Sequence, residues 1–211
     1  MDSFECSFSL VEEVIAQMNF ISDERRSAFS SRLKHFQRLK YPVGINTGRG
    51  VAAIYRARHL LLMALAVEFI QLGLTPERTV RTLHKNARTV AQAFSDELLA
   101  EAQEAKGYKF TGYRQTFLGF DPEGLQDMAR PPRNLAEPQD MASYSFIYGD
   151  SGTLKNWLEA PNPDQGIRVA IVPLTRFMAR LTREVHTAVG QDKFQDFMLD
   201  LANWAAEELS D

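Results

Sequence analysis

The sequence predicts a mainly α-helical protein with an α+β portion in its C-terminal half. Apolar residues recur at helical spacing through most of residues 8–106. Residues 107–166 are richer in Gly, Pro, Asn and Asp and contain short stretches of strand-like composition. Helical spacing then returns from residue 175 onward. With 211 residues, of which 45% are hydrophobic and 24% are charged, the chain is large enough to bury a core.

The first two predicted elements are helices separated by a short turn. The first covers residues 8–20, and its helical spacing is set by Leu10, Val14 and Met18. Ser22 is a suitable N-cap for the second helix, because a serine side chain can accept a hydrogen bond from the first turn. We expect this second helix to end near Leu39, before Pro42.

The second predicted helix has one apolar face and one basic, hydroxyl-bearing face. The apolar face consists of Phe29, Leu33 and Phe36, with Leu39 at its edge. The opposite face carries Ser27, Ser31, Lys34 and Arg38, flanked by Ser30 and His35. One face is therefore expected to pack on the core, while the other is available to a partner.

A glycine- and arginine-containing flap, "NTGRGVAAIY" at residues 46–55, follows this helix. A third helix is predicted from about Arg56 to Leu72. Its section "LLLMALAVEFI" is apolar nearly all round, which is typical of a buried central helix.

A long helix is predicted over residues 76–106. Gly73 is suited to the end of the preceding helix. Thr75 is suited to the N-cap of the long helix, and Pro76 to its first position. The helix carries an apolar stripe at a/d spacing, made of Val80, Leu83, Ala87, Val90 and Phe94. This stripe needs a partner, which is either the rest of the chain or a second subunit.

The C-terminal half combines predicted strands and helices. Strand-like stretches are "YKFTGYRQTFLGF", "ASYSFIYG" and "IRVAIVPL", and "ARPPRNLAEPQD" at 129–140 is the clearest loop. Amphipathic helices are expected over 175–189 and 191–209. The predicted organisation is a DNA-binding domain at 1–75, a dimerisation helix at 76–106 and a C-terminal α+β domain at 107–211.

Charge is distributed very unevenly along the chain. From Arg25 to Arg58 there are nine Lys or Arg and no Asp or Glu. Residues 25–88 hold thirteen basic and two acidic residues, a net +11, so the remainder of this chain of net charge −3 carries −14. A basic segment between acidic flanks indicates a polyanionic partner, and nucleic acid is the one we expect.

The order helix, turn, basic helix, flap and helix is that of a winged helix-turn-helix. In such a domain the second helix enters the major groove of double-stranded DNA, and a flexible glycine flap brings backbone and arginine close to phosphates or the minor groove. The predicted DNA-binding residues are Arg25, Arg26, Ser27, Ser31, Arg32, Lys34, His35, Arg38, Arg49, Tyr55, Arg56 and Arg58.

Two stretches resemble MerR-type transcription regulators. "LKHFQRLKYP" (33–42) looks like the family's L-R-Y-Y-E-R-x-G-L-x-P stretch, and residues 48–83 are similar to its G-x-R-x-Y wing and following helices. The resemblance implies backbone contacts by Lys34 and His35, Arg49 in the wing and Tyr55 at its returning edge. It also implies a homodimer through residues 76–106. Gln37 replaces the family's glutamate, and its metal-sensing cysteines have no counterpart, so we expect no metal and no cofactor.

Other features favour ordinary structural roles. The only cysteine, Cys6, excludes an internal disulfide and fits a reducing cytoplasm. The longest apolar run, Leu60 to Val67, is too short for a membrane span, and the first residues lack a signal-peptide pattern. "GDSG" at 149–152 matches the string around a serine-protease nucleophile but is more typical of a turn.

The function expected from the sequence is therefore a cytoplasmic, nucleoid-associated, homodimeric and sequence-specific DNA-binding transcription regulator. An architectural or phage-type DNA-binding protein without promoter regulation is the first alternative. A hydrolase using Ser151 is the second and the weaker one. Residues 107–211 are expected to receive a small-molecule effector, to hold a protein partner or only to support the dimer.

Overall fold

The computed structural model describes residues 4–45, 52–105, 115–122, 146–159 and 169–210. The helices are α1 (Phe8–Met18), α2 (Arg26–Arg38), α3 (Ala57–Gln71), α4 (Pro76–Lys85), α5 (Ala87–Ala105), α6 (Ser151–Glu159), α7 (Leu174–Val189) and α8 (Gln191–Ser210). The strands are β1 (Thr116–Phe120), β2 (Phe146–Asp150) and β3 (Ala170–Pro173). The prediction of a mainly α-helical protein with a small β component is confirmed.

A turn joins α1 to α2, as predicted, but the cap differs from the expected one. Ser7 caps α1, with its hydroxyl 3.4 Å from the backbone nitrogen of Leu10. The predicted cap Ser22 instead precedes a single 3₁₀ turn at Asp23–Arg25, and its side chain makes no capping hydrogen bond. Because this turn leads directly into α2, the basic helix begins three residues later than a cap at Ser22 would indicate.

The central helix α3 is buried on nearly every side, as its composition predicts. Gly73 follows it with a φ of +99°, a value that favours glycine, and the backbone N–H of Leu74 returns to the carbonyl of Phe69 at 3.1 Å. Thr75 then caps α4 by accepting a hydrogen bond from the Arg78 backbone N–H at 3.3 Å. The predicted punctuation between these two helices is confirmed.

The predicted continuous helix over residues 76–106 is wrong, since it consists of α4 and α5 with a break at Asn86. The Asn86 side chain donates to the carbonyl of Thr82 at 2.8 Å, while its own carbonyl accepts from the Val90 N–H at 2.9 Å. A short amide side chain that bonds to the backbone competes with the helical ladder, so asparagine is suited to this junction.

The three strands form one antiparallel sheet in the order β2-β1-β3. In its register Phe117 lies opposite Gly149 on one side and Pro173 on the other. Leu118 and Phe120 are buried against the helices. Each strand falls within a stretch of predicted strand composition, whereas residues 108–114 and the predicted loop at 129–140 lie outside the described residues.

Helix α6 was not predicted, and it begins inside the GDSG string. The Asp150 carboxylate caps it, accepting from the backbone N–H and the hydroxyl of Thr153 at 2.8 and 2.9 Å. Gly149 must be glycine here, because a Cβ would lie 2.6 Å from Thr153. The string is thus a strand-to-helix junction.

One hydrophobic cluster runs through all the segments predicted as separate domains. It joins Val11 of α1, Leu65 of α3, Phe94 of α5 and Leu118 of β1 to Leu201 of α8. Helix α7 packs on α1, and α8 packs on both α3 and α5. The predicted divisions at 75 and 106 therefore do not correspond to separate cores. Within the described ranges, the helices lack the combined length and hydropathy needed to cross a bilayer.

Candidate nucleic-acid interface

Helix α2 has the two faces that its sequence predicts. One face is buried in the core, where the exposed fractions of Phe29, Leu33 and Phe36 are 8%, 0% and 0%. The exposed side chains on or beside the other face are Arg25, Ser27, Ser31, Arg32, Lys34 and Arg38. The hydroxyl of Ser31 donates to the Ser27 carbonyl at 3.0 Å. The exposed face is thus basic and rich in hydrogen-bond donors.

Carboxylates from neighbouring helices reach both edges of this face. Glu13 of α1 lies 3.4 Å from the Arg26 guanidinium. Glu77 of α4 lies 3.0 Å from Nε2 of His35. Two of the predicted contact residues are therefore engaged by the chain itself, while the face between them keeps its positive charge.

Lys34 and Arg38, the two cations predicted to point outward, differ in how they are held. The Lys34 ammonium lies 5.9 Å from the centre of the Phe8 ring, at the outer limit of a cation–π contact. Nη2 of Arg38 lies 3.2 Å from Nδ1 of His35, within hydrogen-bond distance. Arg38 therefore has a hydrogen-bonding neighbour that orients its guanidinium, whereas the contact described for Lys34 is with an aromatic ring.

Of the flap at 46–55 the structure describes residues 52–55, and Arg49 lies outside the described residues. At its returning end Tyr55 forms an antiparallel bridge with Cys6, with N···O distances of 2.8 and 2.9 Å. Burial raises the pKa of the Cys6 thiol to about 12, so this cysteine is neutral. The N-terminal segment therefore anchors the returning end of the flap.

The prediction that Tyr55 contacts DNA is not supported, because its side chain is 0% exposed. Its hydroxyl accepts a short hydrogen bond from the amide of Gln37 on α2. Its ring packs 6.1 Å from that of Phe8 and 6.3 Å, edge-on, from His59. Tyr55 is an anchor that ties the flap to α2 from inside the core.

His59 joins the two ends of the flap. Its Nδ1 accepts from the backbone N–H of Arg56 at 3.0 Å, and the ring also hydrogen-bonds to the backbone of Val43, just before the flap. Burial, together with the nearby Arg58 guanidinium, lowers the pKa of His59 to about 4. Arg56 is exposed beside His59. Arg58 is half-buried, and its Nε lies 3.3 Å from Nε2 of the His59 ring.

The stripe predicted as a dimer interface is covered by the chain itself. Leu83, Val90 and Phe94 are 2%, 0% and 0% exposed, while Val80 and Ala87 are partly buried. The Phe94 ring lies 5.8 Å from that of Phe177 on α7, and α8 packs along α5. These buried residues are therefore not available to a second subunit, which corrects the reason given for the dimer.

Ser151 is exposed as the first residue of α6. Its neighbour Asp150 directs its carboxylate at Thr153 rather than at an imidazole. Within the ranges that the structure covers, no group of three or more His, Cys, Asp or Glu is placed to hold a metal ion.

Four residues of this region could not be found from the sequence. Gln37 and Cys6 hold Tyr55, Glu77 holds His35, and Asp200 of α8 accepts from the Ala57 backbone N–H at 2.9 Å. Asp200 and Ala57 are 143 residues apart, and no local pattern signals a contact over that separation. Only the position of Glu77, in the first turn of a predicted helix, was a visible signal.

Comparison with known proteins adds no relative to this description. No protein-family model, no curated protein and no solved structure matches the chain. The fold and the site define a mainly helical protein with a two-faced basic helix, and the resemblance to MerR-type regulators depends on the two sequence stretches alone.

Proposed function

We propose that this chain binds double-stranded DNA through the exposed face of α2 and that it regulates transcription. The observation that carries the proposal is the division of α2 into two faces. Phe29, Leu33 and Phe36 fix the helix to the core, while Arg25, Arg32, Lys34 and Arg38 project from the other side. Fixed cations and hydroxyls on one helix face suit a phosphate backbone with base edges between the phosphates.

The dimensions of α2 support insertion into the major groove. Its 13 residues span about 20 Å at 1.5 Å per residue, and a major groove about 12 Å wide admits one helix. Helices α1 and α4 pack beside α2 and leave its basic face uncovered. The flap at 46–55, anchored at Tyr55 and His59, lies next in the chain. Arg49 within the flap and Arg56 directly after it are available for contacts to the DNA backbone.

A regulator is favoured over an architectural protein by the way the C-terminal half packs. Arg180 of α7 lies 4.1 Å from the ring of Phe20 in the turn between α1 and α2. Asp200 of α8 caps the helix that follows the flap. A ligand or partner that shifted α7 or α8 would therefore act directly on both DNA-binding elements, which is how we propose that an effector acts.

Binding to random-sequence duplexes, followed by sequencing of the retained fraction, tests the proposal. The enriched duplex and a scrambled duplex are then titrated across a salt series with the unmodified protein, Lys34→Ala and Arg38→Ala. Loss of a phosphate contact by Lys34→Ala should weaken binding to both duplexes and reduce the salt slope by about one. Arg38→Ala should mainly reduce the preference for the enriched duplex.

Lys193→Ala provides the control, because Lys193 is exposed on α8 and is not part of the basic face. It should bind both duplexes like the unmodified protein. A lack of enrichment despite salt-dependent binding would favour the architectural alternative. No binding to any duplex at low salt would contradict the proposal itself.

A further inference from the structure

We infer that Glu77 is a positioning residue for DNA recognition, and that it orients Arg38 through the imidazole of His35. The three side chains form a chain of contacts across two helices, from Arg38 and His35 on α2 to Glu77 on α4. This inference deepens the proposed function and rests on it, because it assigns Arg38 as the base-contacting cation.

The direction of the hydrogen bonds follows from the groups involved. Arginine can only donate, so Nδ1 of His35 accepts from Nη2 of Arg38 at 3.2 Å. A neutral imidazole then carries its proton on Nε2, which donates to the Glu77 carboxylate at 3.0 Å. One arrangement satisfies all three groups: Arg38 donates to Nδ1 of His35, and Nε2–H of His35 donates to Glu77.

Glu77 is a well-fixed end for this chain of contacts. It lies in the first turn of α4, where the helix dipole favours a negative charge, and Thr75 caps the same turn. Hydrogen bonds from its own backbone N–H and from His35 lower the pKa of Glu77, so the carboxylate stays charged. Helix α4 thus presents a constant acceptor to α2.

The imidazole holds Arg38 without placing a carboxylate against its guanidinium. Arg26, by comparison, lies directly against the Glu13 carboxylate at 3.4 Å, which offsets its charge. Within the described residues the hydrogen-bonding partner of Arg38 is an imidazole nitrogen, so Arg38 keeps its charge and most of its donors for DNA. Restricting a long side chain before binding reduces the conformational entropy that is lost on binding. The contact of Arg38 with a base is therefore stronger, and the orientation of its guanidinium is fixed.

The first experiment examines the free protein and does not depend on DNA. Long-range ¹H–¹⁵N correlation spectra report which imidazole nitrogen of His35 carries the proton. The unmodified protein should show the Nε2–H form, and Glu77→Ala should shift the ring toward a mixture of forms. A ring protonated on Nδ1 in the unmodified protein would overturn the inference whatever the protein binds.

The second experiment compares selectivity, defined as the affinity ratio between the enriched and the scrambled duplex. Glu77→Ala should reduce this ratio by about tenfold, the size of one specific base contact. Glu77→Gln keeps an acceptor oxygen and should restore most of the ratio. Glu13→Ala is the matched control, since it removes an acidic neighbour of α2 that does not contact His35.

The outcomes separate positioning from a general effect of charge. If Glu77→Ala and Glu13→Ala both raise affinity for the two duplexes equally and leave the ratio unchanged, Glu77 acts only through its charge and the inference is wrong. If the unmodified protein enriches no duplex while His35 shows the Nε2–H form, the contacts exist but the proposed function fails.

Discussion

His59 is the residue on which the flap depends most directly. Its Nδ1 accepts from the Arg56 N–H, and a protonated ring, which carries a hydrogen on both nitrogens, cannot keep this contact. Burial and the Arg58 guanidinium both oppose protonation. The arrangement therefore has a pH dependence whose sign can be worked out.

The folded pKa of His59, about 4, lies below the ordinary value of 6.5, so the unfolded chain binds this proton more readily. The stabilisation is complete above pH 6.5 and is lost as the pH falls toward 4. Urea denaturation between these values should show a shallower pH dependence for His59→Gln than for the unmodified protein. His186→Gln, at an exposed position of α7, should keep the original slope. Equal slopes for His59→Gln and the unmodified protein would contradict this account.

At the scale of elements, the α4–α5 pair has a different role from the one its apolar stripe indicates. The break at Asn86 turns one predicted helix into two. The α5 part of the stripe packs against α7 and α8 of the same chain, while α4 packs mainly on α3. An apolar stripe shows only that a helix needs a partner. The partner here is internal, so changes in the stripe act on folding.

We expect Leu83→Ala to lower the free energy of unfolding by about 2–5 kcal/mol, the usual cost of a cavity at a buried leucine. Leu99→Ala, on α5 but 58% exposed, is the control and should cost well under 1 kcal/mol. Urea denaturation measures both, and sedimentation velocity reports the oligomeric state separately. A stable Leu83→Ala protein that only dissociates into monomers would restore the stripe as a subunit interface.

At the scale of the whole molecule, the C-terminal helices are part of the structure that carries α2 and the flap. Phe4 packs edge-on against Phe197 of α8 at 5.2 Å, and Arg180 of α7 faces both Phe20 and Glu68. Asp200 caps α3 directly after the flap. Removal of α7 and α8 would therefore leave α2 and the flap without part of their core.

Asp200→Ala should lower the free energy of unfolding by about 1 kcal/mol, as expected for the loss of a helix cap. It should also weaken DNA binding, because Ala57 and the adjoining end of the flap lose their anchor. Asp196→Ala, on an exposed position of α8, is the charge-matched control and should change neither quantity. Thermal denaturation and duplex titration measure the two effects, and an unchanged Asp200→Ala protein would rule out the coupling.

The sequence by itself determined most of the helices, the strand-like stretches and the two faces of α2. Each of these depends on spacing or composition within a few residues, as at Phe29, Leu33 and Phe36, or on punctuation such as Gly73 and Thr75. Helix α6 was missed because it is only nine residues long and includes a glycine. Its cap, Asp150, also belongs to a string that resembles a protease motif.

Only the tertiary structure decided which surfaces are covered. It buries Tyr55 behind Gln37, covers Phe94 with the C-terminal helices, and places Glu77 against His35. These outcomes depend on contacts between residues far apart in the chain, and a periodic pattern records that a face is apolar without recording what packs on it. The physical reason is that burial is a property of the assembled core, whereas helix formation is largely local.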